Sequence, residues 1–268
     1  MAVLSRLGTG RRRRSGRELR VEKKAWPSVY EPGFSSIWGA LLAIVVAYAF
    51  SSMFLLAWIA LSGEKVSATS LTAGDLVSSS LGTWLGFFGA AWMASRRLGT
   101  GSLRRDYSAY IRLPVDIPVG VIAGLVLQFA ILPIVYLPLE PLIPDLQKKL
   151  SGPATYITSA GRGWTVVLVG LVIVVGAPIV EEVFFRGLLL QSISYKLRNL
   201  RKWRANILAV LLSAIGFGLA HVEPLQLLGL VAVGIVLGAL RIYYKRLGPG
   251  MVAHATFNLV TFIALVRH

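Results

Sequence analysis

The sequence predicts an all-α, polytopic integral membrane helical bundle of about seven transmembrane helices, with its N-terminus in the cytoplasm. Three observations carry this expectation. The 268 residues are 55% hydrophobic and only 15% charged, too little charge to cover a soluble domain of that size. The apolar residues fall into long runs, and a helix needs about 20 of them to cross the hydrocarbon core. The basic residues, which give a formal net charge of +16, are concentrated in alternate loops, which is the positive-inside pattern.

In chain order, residues 1–36 form a basic tail that includes Arg11 to Arg14, Arg17, Arg20, Lys23 and Lys24. Trp26, Tyr30, Phe34 and Trp38 then mark entry into the interface, where amphipathic aromatic side chains settle. The first apolar run, Ile37 to Leu61, is too long and starts too late for a cleaved signal, and reads as an anchor. The next two runs are Leu76 to Ser95 and Val115 to Leu137, so residues 37–138 hold three accessory transmembrane helices. Their Gly82/Gly86 and Gly120/Gly124 spacings let helices approach closely. Pro133 and Pro138 are expected to bend or end the third span.

Residues 139–163, with Pro141, Pro144 and Pro153, read as an external loop. The remaining four spans, in 164–268, are Trp164 to about Leu190, Ile207 to His221, Leu225 to Ile242 and Met251 to Val266; the fifth of the seven is the shortest. Pro178 lies inside the fourth span and predicts a kink there. The loops holding Arg96 to Arg112, Lys196 to Arg204 and Arg241 to Arg246 belong on the side of the N-terminus, where they meet anionic headgroups. That distribution assigns the charge to topology and lipid and argues against nucleic acid as a partner. With no cysteine in the chain, disulfides and thiolate metal ligands are excluded.

The fourth span carries Glu181, Glu182 and Arg186. A charged group at mid-membrane depth costs roughly 2.5–3.5 kcal/mol on insertion scales, so these residues need partners or a polar cavity. Glu182 and Arg186 are four apart and share a helix face; Arg186 either neutralises Glu182 or contacts substrate. Glu181 points about 100° away from Glu182. It suits either a general base or a protonated side chain bonded to a carbonyl. His221 ends the fifth span, and His254 and Asn258 sit four apart in the seventh. Glu181 lies about 20 residues before the turn near Leu200 to Lys202 and His221 about 20 after it, so at about 1.5 Å per residue they reach similar depth. His254 is only a few residues past the Lys245 to Leu247 loop, so tilt, a short sixth span or a lateral stretch before the fifth must bring it level.

Glu181-Glu182-x-x-x-Arg186, then Phe217-x-x-x-His221, then His254-x-x-x-Asn258 on successive helices resembles the CAAX protease and bacteriocin-processing (CPBP) family. These are the Abi or Rce1-like intramembrane proteases, the type II CAAX prenyl endopeptidases. The resemblance covers about Trp164 to Val266 and makes 164–268 the catalytic core. It implies that Glu181 activates the hydrolytic water, that His221 helps hold it, and that His254 and Asn258 complete the polar site or stabilise the oxyanion. Glu182 and Arg186 match supporting positions. A catalytic zinc held by Glu181, His221 and His254 and a metal-free glutamate mechanism both remain open.

The leading expectation is therefore an intramembrane endopeptidase of the bacterial cytoplasmic membrane. Its site would open to the cytoplasmic half, and its substrates would be membrane-embedded or lipidated peptides and proteins. A transporter or proton-relay protein is the alternative from another class, favoured by Gly176 and Pro178 in a broken helix but lacking two related halves. A catalytically idle immunity or regulatory scaffold is the third. No Ser-Lys or Ser-His spacing and no intramembrane Asp pair suggests another nucleophile.

Overall fold

A computed structural model describes residues 37–63, 72–159 and 163–266. The expected basic tail, residues 1–36, lies outside the described residues. The described chain is a helical bundle: α1 (Ile37–Ser62), α2 (Ala73–Leu98), the short α3 (Leu103–Asp106), α4 (Leu113–Leu139), α5 (Leu146–Thr158), α6 (Thr165–Lys196), α7 (Lys202–Ala220), α8 (Leu227–Tyr244) and α9 (Gly248–Val266). Six of these, α1, α4 and α6 to α9, are long and apolar enough to cross a membrane. The second expected span, α2, is as long as α1 at 26 residues, but Asp75, Ser78 to Ser80, Thr83, Arg96 and Arg97 make it less apolar. Its start is capped by Thr72 and Asp75, each accepting the other's backbone N–H.

Residues 139–163 were expected as a loop, but they contain α5, and Pro153 is accommodated inside it. Pro133 and Pro178 also leave their helices continuous. Each is preceded by a wide turn, at Leu127–Ile131 and Leu171–Gly176, in which the amides of Leu132 and Ala177 reach the carbonyls of Leu127 and Val172, five residues back. Widening moves the backbone away from the carbonyl that the proline ring would strike. A second wide stretch, Glu182–Leu189, follows Glu181. Pro138 lies in the tight turn Leu137–Leu139 that ends α4.

Glycines set the packing. A Cβ at Gly82 or Gly86 would overlap the backbone of Phe50 or Ala47, so α1 and α2 touch as an antiparallel pair. Gly120 meets Val252, and Gly124 meets Ala253 and Thr256, so α4 and α9 run parallel. Gly234 against Ala214 and Gly238 against Val210 join α7 to α8 in antiparallel fashion. The core between α2 and the back half is aromatic: Phe87 stacks on Phe184 at 4.4 Å, and Phe184, Phe185 and Phe217 follow edge to face.

These pairings sort the helix ends into two groups. One end gathers Arg96, Arg97, Arg104, Arg105, Arg112, Lys196 to Arg204, Arg241, Lys245 and Arg246. It is tied by a buried ion pair between Arg246 and Asp116 and by the Leu247 amide donating to the Ser108 carbonyl. Arg246 lies in the turn between α8 and α9, and its hydrogen bond to the Asp116 carboxylate holds its pKa above the ordinary value. The other end carries α5 and the turn at 221–226; there Tyr136 donates its hydroxyl hydrogen to the Gln226 carbonyl, and the Gln226 amide donates to the Leu150 carbonyl.

Candidate active site

Glu182 and Arg186 are buried at 1% and 0% exposure, and the guanidinium Nη1 donates to Glu182 Oε1 at 2.7 Å. Arg186 also lies 4.4 Å over the Phe217 ring and points Nη2 at the Gly234 carbonyl, 3.4 Å away. Neither side chain lines the cavity described below. Of the two roles considered for Arg186, the geometry matches pairing with Glu182 rather than contact with substrate.

His254 on α9 stands between the two carboxylates. Its Nδ1 is 3.4 Å from Glu182 Oε1 and its Nε2 is 3.8 Å from Glu181 Oε2. Neither contact is a formed hydrogen bond: Glu181 Oε2 and His254 Nδ1 are both buried atoms without a hydrogen-bond partner among the described residues. The second distance leaves room for a side chain shift or a bridging water. His254 is level with Glu181 because α9 begins inside the bundle. From His254 back to the start of α9 at Gly248 is about 9 Å of helix, whereas from Glu181 to Lys196 is about 22 Å. The turn between α8 and α9 is drawn inward, with Leu247 buried, and carboxylates lie at the first turn of α9: Asp116 against Gly248 and Glu182 against Gly250. A Cβ at Gly250 would sit 2.9 Å from Glu182 Oε2, so only a glycine leaves that approach open. Its place one turn before His254 was the sequence signal for this, and sequence reasoning did not use it.

His221 caps α7, and its Nδ1 lies 2.8 Å from the Phe217 carbonyl of its own last turn. With that nitrogen carrying the proton, Nε2 is left as an acceptor. Phe217 stands edge-on to both imidazoles, with centroids 4.6 Å from His221 and 5.8 Å from His254. Asn258, one turn after His254, donates to the Ile173 carbonyl at 2.9 Å. Ile173 lies in the wide turn before Pro178, so this amide stitches α9 to the loosened stretch of α6 and keeps one further N–H.

Glu181, His221, His254 and Asn258 all line one cavity of about 570 Å³. Other polar groups reach it that the sequence did not single out: Gln128, which accepts from Thr261, together with Tyr136 and Gln226. α5 contributes Gln147, Leu150, Ser151 and Ala154. The cavity thus extends from Glu181 to the end of the bundle that carries α5, not to the basic end, where the expected opening to the cytoplasmic half would have placed it. The reason is that most of the lining, from the start of α2 to the last turns of α9, lies toward helix ends opposite the arginine clusters, with Glu181 and His254 at the inner limit.

The expected zinc ligands were Glu181, His221 and His254. Among the described residues, no group of three or more His, Cys, Asp or Glu side chains is gathered as a metal site. These three donors as placed do not make a closed set, and no step below passes through a metal.

Against known proteins, residues 163–260 match the family model for type II CAAX prenyl endopeptidase Rce1-like proteins. The similarity to the Rce1-like family covers 98 of the 268 residues. No curated protein and no solved structure matches the chain. The Rce1-like segment begins just before α6 and ends within α9, so it contains Glu181, Glu182, Arg186, His221, His254 and Asn258. That similarity, together with six membrane-length apolar helices, supports an integral membrane protein of an intramembrane endopeptidase type.

Proposed function

We propose that the cavity hydrolyses peptide bonds of membrane-embedded or lipidated substrates with a water activated by Glu181. One observation supports this above the rest: Glu181 lines the cavity beside His254, its Oε2 has no hydrogen-bond partner among the described residues, and His254 Nε2 is 3.8 Å away. Its neighbour Glu182 is neutralised by Arg186 and excluded from the cavity. Two adjacent carboxylates thereby take different parts, one structural and one reactive.

In this scheme a water sits between Glu181 and His221 Nε2, both acceptors. Glu181 takes its proton as the oxygen adds to the carbonyl carbon. The negative charge moves to the carbonyl oxygen, where His254 and the second amide hydrogen of Asn258 are the donors at hand. When the intermediate collapses, the C–N bond breaks and the proton held by Glu181 passes to the leaving nitrogen. The basic end of the bundle meets anionic headgroups and sets the depth of the site in the bilayer.

Glu181→Gln keeps size and hydrogen bonding but removes the base. It is expected to lower cleavage of a co-reconstituted membrane substrate by about 10²–10⁴-fold, the usual range for a general base, with unchanged melting in detergent. Cleavage at the wild-type rate would remove Glu181 from the mechanism.

A further inference from the structure

The direction in which the cavity reaches the membrane surface bears on what it can cleave. Most of its lining comes from helix ends on the side of α5 and the 221–226 turn, and Glu181 and His254 mark its inner limit. The opposite end carries the arginine and lysine clusters, and it is closed under the Glu181 level by Arg186, Phe184, Phe185 and Leu188, all at most 2% exposed. Lys and Arg accumulate in the short loops that stay in the cytoplasm. The end with the cavity has a different balance: Asp75, Glu140, Asp145 and Glu223 against Lys148 and Lys149 among the described residues.

We propose that the peptide enters from the membrane face opposite the basic loops, the outer face, and that the substrates are segments of membrane proteins or anchored peptides exposed there. A cytosolic lipidated C-terminus would meet the closed end instead. This rests on the endopeptidase reading for the chemistry, but the side of entry follows from the geometry and charge alone. α5 is the cover beside which the peptide passes. It lies across the mouth, held by the Gln226 side chain donating to the Leu150 carbonyl at 2.7 Å, and Ser151 and Gln147 face the cavity from it. Leu146 and Ile157 also pack α5 against the bundle.

The chain has no cysteine, so single cysteines can be read without background. Ser151→Cys marks the cavity mouth and Asn199→Cys, exposed between α6 and α7, marks the basic end. In intact cells, a membrane-impermeant maleimide is expected to label Ser151→Cys fully, and Asn199→Cys only after permeabilisation. The reverse pattern would overturn the proposal whether or not the protein proves to be a protease. In a second arm, a charged, impermeant quenched peptide with an apolar centre is added to right-side-out and inverted vesicles. Cleavage by the right-side-out vesicles, at least tenfold above the inverted ones and lost in Glu181→Gln, supports the outer entry. Cleavage by inverted vesicles alone overturns it. If detergent-solubilised protein cleaves no peptide, the endopeptidase reading fails, and the labelling still decides the side of entry.

Discussion

Glu181 and Glu182 are neighbours in sequence with opposite surroundings, and the difference is set by what lies four residues on. Arg186 sits on the face of Glu182 and leaves Glu181 without a cation of its own. A buried pair of this kind is weak evidence for stability, but breaking it strands a charge and costs about 3–5 kcal/mol. Arg186→Ala is therefore expected to melt much earlier in detergent than wild type, while Glu182→Leu combined with Arg186→Met should recover most of the loss. Equal melting of Arg186→Ala and wild type would mean that Glu182 is not charged in the folded protein. The same scale bears on zinc. The Phe217 carbonyl at His221 Nδ1 leaves Nε2 free, and among the described residues Glu181, His221 and His254 are not gathered as a metal site. Chelation followed by elemental analysis is expected to leave Glu181-dependent cleavage in place. Loss of activity restored by added zinc would require the three side chains to regroup.

Among the elements, the parallel seam of α4 and α9 positions His254. Gly120 and Gly124 let α9 lie directly on α4, which holds His254 and Asn258 toward α6. Gly120→Leu would force the two helices apart. It is expected to destabilise the protein by about 1–3 kcal/mol, the range for overpacking, and to reduce cleavage beyond what the melting shift explains. Unchanged activity would separate the seam from the site. The small-xxx-small spacing was visible in the sequence, but its partner was not, because a glycine pair shows that something comes close without naming it. Pro178 was legible as a disturbance, and its form was not. Nothing in the residues themselves distinguishes a kink from a wide turn stitched by Asn258 of another helix. α5 was missed for a similar reason. Its prolines and polar residues read as a loop, whereas Leu146, Leu150 and Ile157 bury one side of a helix against the rest of the bundle.

At the scale of the molecule, the long apolar helices and the motif order were readable because period and spacing are local properties of the chain. The depth of His254 and the side on which the cavity opens were not. Both depend on how far the Lys245 to Leu247 turn is pulled into the bundle, and the ion pair that does this joins residues 130 apart. The aromatic layer beneath Glu181 has one more consequence. Phe184, Phe185 and Phe217, with Arg186 locked between them, form a largely apolar floor between the cavity and the basic end. A chamber that must admit water for hydrolysis is thus blind at its base, and the bilayer stays electrically tight around a wet reaction. Proteoliposomes carrying the protein should hold a pH gradient as long as empty ones do, as a proton carrier would not; a gradient that collapsed in wild type and survived in Glu181→Gln would mark the carboxylate as a conduit.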